Sequence, residues 1–256
     1  MRDRLSGAAE VAGERIGDAT ESARRGARAA GVRAASAVEA AGALVGKPRL
    51  RGVLHQWAFP FACVAGMILF AVAGPGLPRV ASGVYALALA ALFGVSALYH
   101  RVDWRPAARS WMRRLDHSMI FVFIAATYTP FALLALQGTV SRVVLIALWA
   151  LALAGVGISL LWPGAPKAVR AFVYVGVGLL AAAPLPELAA AVGLGGIALL
   201  ACGGILYICG AVVYATGRPD PNPTVFGYHE VFHSLVIAAA ACQFAAVAAF
   251  ALPAGA

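Results

Sequence analysis

The strongest constraint on the fold is a series of long apolar runs that begins near Trp57 and continues almost to the last residue. A helix needs about 20 mainly apolar residues to cross the hydrocarbon core of a bilayer, and most of these runs reach that length. With 62% hydrophobic and only 12% charged residues, the chain also has more apolar side chains than a soluble domain can bury. We therefore predict an all-α membrane protein, a bundle of seven transmembrane helices at residues 57–74, 80–99, 118–136, 143–162, 172–185, 192–216 and 231–252.

The distribution of Lys and Arg predicts how these helices are oriented, because basic residues in short loops stay on the cytoplasmic side. If the N-terminus is cytoplasmic, eighteen Lys and Arg residues fall in cytoplasmic segments, and only Arg79 and Arg142 fall in outside loops. With seven crossings, this orientation places the C-terminus outside. We expect a multi-pass protein of the cell membrane.

The first 46 residues differ from the rest of the chain. Up to Arg51 there are ten Lys and Arg residues and six Asp and Glu residues in a background rich in Ala, Gly and Ser. We expect residues 1–46 to form a basic, Ala-rich cytoplasmic tail, either disordered or lying as an interfacial helix on anionic lipid head groups. Residues 47–256 form the predicted membrane domain.

The last apolar run is preceded by an HExxH motif, formed by His229, Glu230 and His233. Residues four apart lie on one face of a helix, so both imidazoles can reach the same ion, and this spacing is typical of zinc sites. Two histidines that only cap the helix are the alternative, although unpaired polar side chains are costly near lipid. Zinc takes three protein ligands in catalytic sites and four in structural sites, so further ligands must come from elsewhere in the chain.

The predicted topology brings two more polar stretches to the same membrane face as this motif. One is the end of the second span, where His100 is our predicted third metal ligand and Ser96, four residues earlier, shares its helix face. The other is the start of the third span, where Asp116 is the best candidate to hold a water at the metal. An ion pair between Asp116 and Arg113 or Arg114 is the alternative.

Three further polar residues are assigned to other roles. His117 follows Asp116 and should point about 100° away from it on a helix, toward a different neighbour. His55 opens the first span and is expected to support the site or the membrane interface. Glu230 is expected to act at the helix terminus or behind the metal ligands, because the 23 residues after His233 contain no His, Asp or Glu for a metalloprotease site.

Several separate motifs carry a resemblance to a known family. They are KPRLRG at 47–52 with His55, SxxxH at 96–100, LDHSMIF at 115–121, TYTP at 127–130 and GYHEVFH at 227–233. In this order they resemble the bacterial hemolysin III family, which belongs with the adiponectin and progestin receptors and more distantly with the alkaline ceramidases. The resemblance covers about residues 47–252.

The resemblance implies a seven-helix fold with zinc near the cytoplasmic face, held by His100, His229 and His233. It also implies hydrolysis of a lipid amide such as ceramide, with Asp116 as general base and Ser96 as a hydrogen-bond donor to the oxyanion or the zinc-bound water. The substrate is then a membrane lipid whose acyl chain enters between the helices.

Two other functions stay open at this stage, a pore-forming hemolysin and a receptor-like membrane protein with a structural zinc. Polar residues concentrated at one end of the spans argue against a pore within one chain. No nucleic-acid-binding module is present, and the four cysteines all lie in apolar runs, where they are expected to pack rather than form disulfides.

Overall fold

The computed structural model describes residues 47–181 and 183–255, together with Glu21 and Gly26. The predicted tail, residues 1–46, therefore lies outside the described residues apart from those two positions. The chain divides into two units, Met1–Lys47 and Pro48–Ala256, and the second unit contains the helices described below.

The second unit is built from helices in the part of the chain that the structure describes. They are α1 (Val53–Val72), α2 (Leu77–Arg101), α3 (Pro106–Pro130), α4 (Gly138–Leu161), α5 (Lys167–Ala181), α6 (Leu185–Thr216) and α7 (Tyr228–Ala246). A π-helical turn over Phe131–Ala135 continues α3, and the segments Val247–Ala251 and Leu252–Ala254 continue α7. Among the described residues the only β-type pairing is an isolated bridge between Asn222 and Phe226.

The structure confirms a helical, multi-pass membrane protein, because six of the helices are long and apolar enough to cross a bilayer. They are α1, α2, α3 with its π-helical turn, α4, α6 and α7 with its extension. The remaining helix, α5, has only 15 residues. At about 1.5 Å per residue it spans less than the roughly 30 Å of a hydrocarbon core.

Several helices begin earlier than the apolar runs predict, and α3 shows the largest difference. The sequence predicts its start at Ser118, but the helix begins at Pro106, twelve residues earlier. Proline is favoured in the first helical turn, where its missing N–H would have no partner, and the polar residues that follow lie beyond the apolar run that hydropathy detects. Residues 106–117, which lie outside the predicted third span, thus form a polar extension at the start of α3.

Helices that follow one another in the sequence pack side by side, and α7 also packs against α1. The apolar core lies between α1, α2, α3, α6 and α7 and includes the fully buried residues Tyr85, Phe131, Leu188 and Val247. The outer faces present large exposed apolar side chains, as expected for surfaces that contact lipid.

Contacts at the helix ends show which ends lie together. The Lys167 Nζ atom at the start of α5 donates a hydrogen bond to the Tyr228 hydroxyl at the start of α7 (2.6 Å). Arg170, also on α5, lies 2.8 Å from the Nδ1 atom of His117 on α3. The starts of α5 and α7 and the N-terminal half of α3 therefore share one end of the bundle.

Candidate metal centre

Three histidines from two helices meet at this end of the bundle. The potential ligand atoms of His100, His229 and His233 all lie within 4.8 Å of one another. The Nε2 atoms of His100 and His229 are 3.1 Å apart. The ring centroid of His233 lies 5.1 Å from that of His100 and 4.5 Å from that of His229.

Local sequence explains why these rings converge. His100 is the penultimate residue of α2, and its side chain is buried. It lies at the polar end of the bundle, the end that also holds the starts of α5 and α7. The α7 helix begins at Tyr228, directly after Gly227, so the two histidines of the HExxH motif occupy its first two turns and one face. His100 and His233 are both buried, at 8% and 2% exposure.

Asp116 and Ser96 lie beside the histidines, as the topology predicts. The Asp116 Oδ2 atom is 3.9 Å from the Nε2 atom of His100. The Ser96 side chain is buried, and it lies one turn before His100 on the same helix. Asp116 thus lies beside the histidine cluster, and in the described part of the chain no ion pair joins it to Arg113 or Arg114.

The carboxylate of Glu230 is occupied by protein partners. Its Oε2 atom accepts a hydrogen bond from the backbone N–H of Gly227 (2.8 Å), which caps the start of α7. Its Oε1 atom lies 2.7 Å from the Nε atom of Arg51, and the Glu230 side chain is only 1% exposed. These contacts give Glu230 the helix-terminus role that its position in the sequence predicts.

Three residues that precede or open α1 also touch the cluster. The sequence predicts a supporting role at the site or the membrane interface for His55, but no role at the site for Arg51 or Gly52. His55 is 3% exposed, and its ring stacks on that of His233 with centroids 3.8 Å apart and planes 1° from parallel. Arg51 pairs with Glu230, and Gly52 lies against the Cβ atom of His100. The only signal in the sequence was their place in the KPRLRG and His55 motifs.

His117 does not join the cluster. Its Nδ1 atom contacts the guanidinium group of Arg170 at 2.8 Å, so its ring points to α5. This agrees with the roughly 100° rotation between adjacent residues of a helix.

The residues at this site fit a metal ion such as zinc. Zinc takes imidazole nitrogens at about 2.0–2.1 Å in tetrahedral geometry, which places two ligand nitrogens roughly 3.3 Å apart. The 3.1 Å separation of the His100 and His229 nitrogens is close to that value. In addition, the Nδ1 atom of His233 is buried without a hydrogen-bond partner among the described residues. The cluster could therefore hold a metal ion.

The chain matches a known protein family over most of its length. Residues 44–244 match the family model described as "Haemolysin-III related". This match covers all the motifs of the sequence analysis and every residue of the cluster, and it confirms the resemblance that those motifs indicate.

Individual relatives match over most of their length. A protein called "Hemolysin-3 homolog" from Bacillus subtilis (strain 168) is 30% identical over 179 residues, 70% of this chain and 81% of the relative. "Hemolysin-3" from Bacillus cereus is 30% identical over 174 residues, which cover 68% and 76%. The human "Monocyte to macrophage differentiation factor" is 26% identical over 200 residues, which cover 75% and 79%.

Proposed function

The chain belongs to the haemolysin-III related family, and from this membership and the geometry of its histidine cluster we propose that it is a zinc-dependent hydrolase of lipid amides. The observation that carries the proposal is the meeting of three imidazoles with a carboxylate. His100, His229 and His233 lie within ligand distance of one another, and Asp116 is 3.9 Å from His100. Three protein ligands are what a catalytic zinc site uses, since its fourth position stays open.

In this proposal His100, His229 and His233 hold the zinc ion. Zinc bound by three imidazoles acts as a Lewis acid, which makes a water molecule more acidic and an amide carbonyl more electrophilic. The Ser96 hydroxyl donates a hydrogen bond to the oxygen of the attacked carbonyl, which stabilises its growing negative charge.

Asp116 carries the proton in the proposed reaction. Its carboxylate takes a proton from the attacking water as the new carbon–oxygen bond forms. It then gives that proton to the amine nitrogen as the carbon–nitrogen bond breaks. The products are a fatty acid and a free amine, so the bonds and protons balance without any further reactant.

The same proposal includes a topology of seven crossings with the N-terminus in the cytoplasm. The contacts of Lys167 and Arg170 support α5 as the fifth of these crossings, although its 15 residues make it shorter than the other six. It starts at the same end of the bundle as α7, and the chain must return to that end through α6 before α7 begins. The eighteen basic residues assigned to inner segments support a metal centre near the cytoplasmic face of the cell membrane.

A lipid fits the proposed site because the cluster lies at the end of apolar helices whose outer faces expose large apolar side chains. The amide group would reach the polar end while the acyl chain stays among the helices or in the bilayer. Basic residues at the same end, such as Arg101 and Arg105, suit anionic lipid head groups.

The names of the two Bacillus relatives favour a second candidate, a membrane-lytic protein. In that case zinc would have only a structural role, and lysis would continue when the metal is removed. Loss of lysis together with zinc would instead tie the lytic effect to the metal centre.

The proposed chemistry is tested by metal analysis and by replacing Asp116 with Asn. Purified full-length protein in detergent should contain about one zinc per chain, and His229→Ala or His233→Ala should lose it. Asp116→Asn should retain zinc but lose about 10²–10⁴-fold in the rate of fatty-acid release from a ceramide, because a general base contributes about that much. Undiminished hydrolysis in Asp116→Asn would remove Asp116 from the mechanism, and zinc retention in both His variants would refute the ligand assignment.

A further inference from the structure

We propose that residues 48–55, the segment that leads into and opens α1, position the metal-binding histidines of α2 and α7 relative to each other. The proposal rests on the proposed metal centre. It assigns to Arg51, Gly52 and His55 a positioning role, exerted through the neighbouring ligands and not through contact with substrate.

The backbone of this segment is held against the loop that precedes α7. The N–H of Arg49 donates to the carbonyl of Thr224 (2.9 Å), and the N–H of Leu50 donates to the carbonyl of Val225 (3.1 Å). These bonds attach the segment to the residues three and four positions before Tyr228, the first residue of α7. The segment and the start of α7 therefore move together.

Arg51 adds an ionic contact inside the HExxH motif. Its Nε atom lies 2.7 Å from the Oε1 atom of Glu230, and the two side chains are 18% and 1% exposed. A buried carboxylate that loses its partner is strongly destabilised, so this pair constrains the turn of α7 between the two histidines. Because Glu230 also caps α7 through Gly227, any shift of Arg51 reaches the start of that helix.

The next residue, Gly52, contacts the third histidine. A Cβ atom at this position would lie 2.5 Å from the Cβ atom of His100, so only glycine allows this approach. Gly52 also has φ 78°, a conformation that favours glycine. The backbone of the segment therefore packs directly against the side chain of His100.

His55, the third residue of the segment with a positioning role, contacts His233 through its ring. It stacks on His233 at 3.8 Å between centroids, with the ring planes 1° from parallel. The same ring also contacts Phe93 of α2, at 5.0 Å between centroids. A ring held between α2 and α7 limits the rotation of His233 and keeps its ligand nitrogen directed at the cluster.

Each contact would be a minor packing detail alone, but together they connect one short segment to α2 and α7 at once. His100 comes from one helix, and His229 and His233 come from the other. Since α2 and α7 are far apart in the sequence, their relative position needs a third element that touches both. The 48–55 segment provides it, in the way that residues behind a metal site orient its ligands.

The test compares variants of the full-length chain in detergent, with zinc affinity measured by chelator competition and ligand geometry measured by the visible absorption of the cobalt(II) form. His55→Ala should weaken zinc binding about 10–100-fold and change the cobalt spectrum, whereas His55→Phe, which keeps a flat ring on His233, should keep most of the affinity. Equal losses in both variants would overturn the stacking role.

The ion pair is tested by a pair of substitutions. Arg51→Met leaves Glu230 buried and charged, so it should weaken zinc binding about 10–100-fold. Glu230→Gln can still accept the hydrogen bond of Gly227, and the combined Arg51→Met, Glu230→Gln variant should recover most of the lost affinity. No recovery would show that the charge pair does not position α7.

A measurement on metal-free protein separates this proposal from the proposed function. Hydrogen exchange at the amides of Arg49 and Leu50 reports whether the segment is docked, and it should speed up in Arg51→Met without any zinc present. If the natural sequence binds no zinc, the metal centre fails while this exchange result still decides the docking of the segment. If the natural sequence binds zinc and all single variants bind it equally well, the positioning role is refuted.

Discussion

Gly52 offers the sharpest test of the geometry, because one methyl group added there meets a proposed metal ligand directly. The Cβ atom of an alanine at this position would lie 2.5 Å from the Cβ atom of His100. Ordinary contacts of this kind are 3.4–4 Å. His100 must therefore retreat by at least about 0.9 Å, the difference between 2.5 and 3.4 Å, or α1 must move by a similar distance.

The size of that shift sets the expected effect. Metal–ligand distances hold to within about ±0.2 Å, so a displacement of His100 by about 0.9 Å is several times the tolerance of the site. We expect Gly52→Ala to weaken zinc binding at least about 10-fold and up to about 100-fold. Overpacking should also cost about 1–3 kcal/mol of stability, in addition to about 1–2 kcal/mol for alanine at positive φ.

Gly217 provides a matched control. It ends α6 with φ 68° and ψ 24°, near the 78° and −4° of Gly52, and a Cβ atom there would meet nothing within 4 Å. Gly217→Ala should thus have the same backbone cost of about 1–2 kcal/mol but unchanged zinc affinity. Zinc affinity would be measured by chelator competition, and stability by thermal unfolding in detergent.

The comparison of the two alanine variants separates the contact with His100 from the backbone strain of an alanine at positive φ. Equal zinc affinity in Gly52→Ala and Gly217→Ala would show that the position of His100 does not depend on its contact with Gly52. Equal loss in both would mean that backbone strain, and not the contact with His100, controls the site.

Two further predictions test the packing of the helices. Gly155→Ala should lower thermal stability, because its Cβ atom would overlap the Phe121 ring between α3 and α4. The expected overpacking cost is about 1–3 kcal/mol. Gly157→Ala is the control, since its Cβ atom would meet nothing within 4 Å, and it should be neutral or stabilising. The Sγ atoms of Cys202 on α6 and Cys242 on α7 are 3.8 Å apart, so a membrane-permeable diazene oxidant should join them into an intramolecular disulfide with loss of two hydrogens. Mass spectrometry of the digested protein would detect the linked peptides, and their absence after complete thiol oxidation would contradict the packing of α6 on α7.

The grouping of the three histidines could be predicted from the sequence because its strongest signals are local or topological. The HExxH spacing puts His229 and His233 on one face of any helix that contains them. Alternating helix directions then bring His100 and Asp116 to the same end, and the structure places Asp116 3.9 Å from His100. Neither argument needs a side-chain contact to be known in advance.

The supporting contacts could not be predicted in this way. The approach of Gly52 to His100 and the stacking of His55 on His233 depend on distances between helices that hydropathy and spacing do not report. Arg51 looked like one of many basic residues on the cytoplasmic side, and its pairing with the buried Glu230 appears only when the segment before α1 is placed against α7. Close packing, and not pattern, decides such contacts.

The boundaries of α3 show a related limit, and they bear on the function. Hydropathy predicts that the apolar span starts at Ser118, two residues after Asp116, whereas the helix begins at Pro106. Asp116 therefore lies in the third turn of a helix whose backbone is fixed by hydrogen bonds on both sides. A carboxylate in a loop would need to be ordered before it could transfer a proton, and that ordering would cost conformational entropy. The polar extension of α3 removes this cost, because it holds the Asp116 backbone in place beside His100 before any substrate arrives.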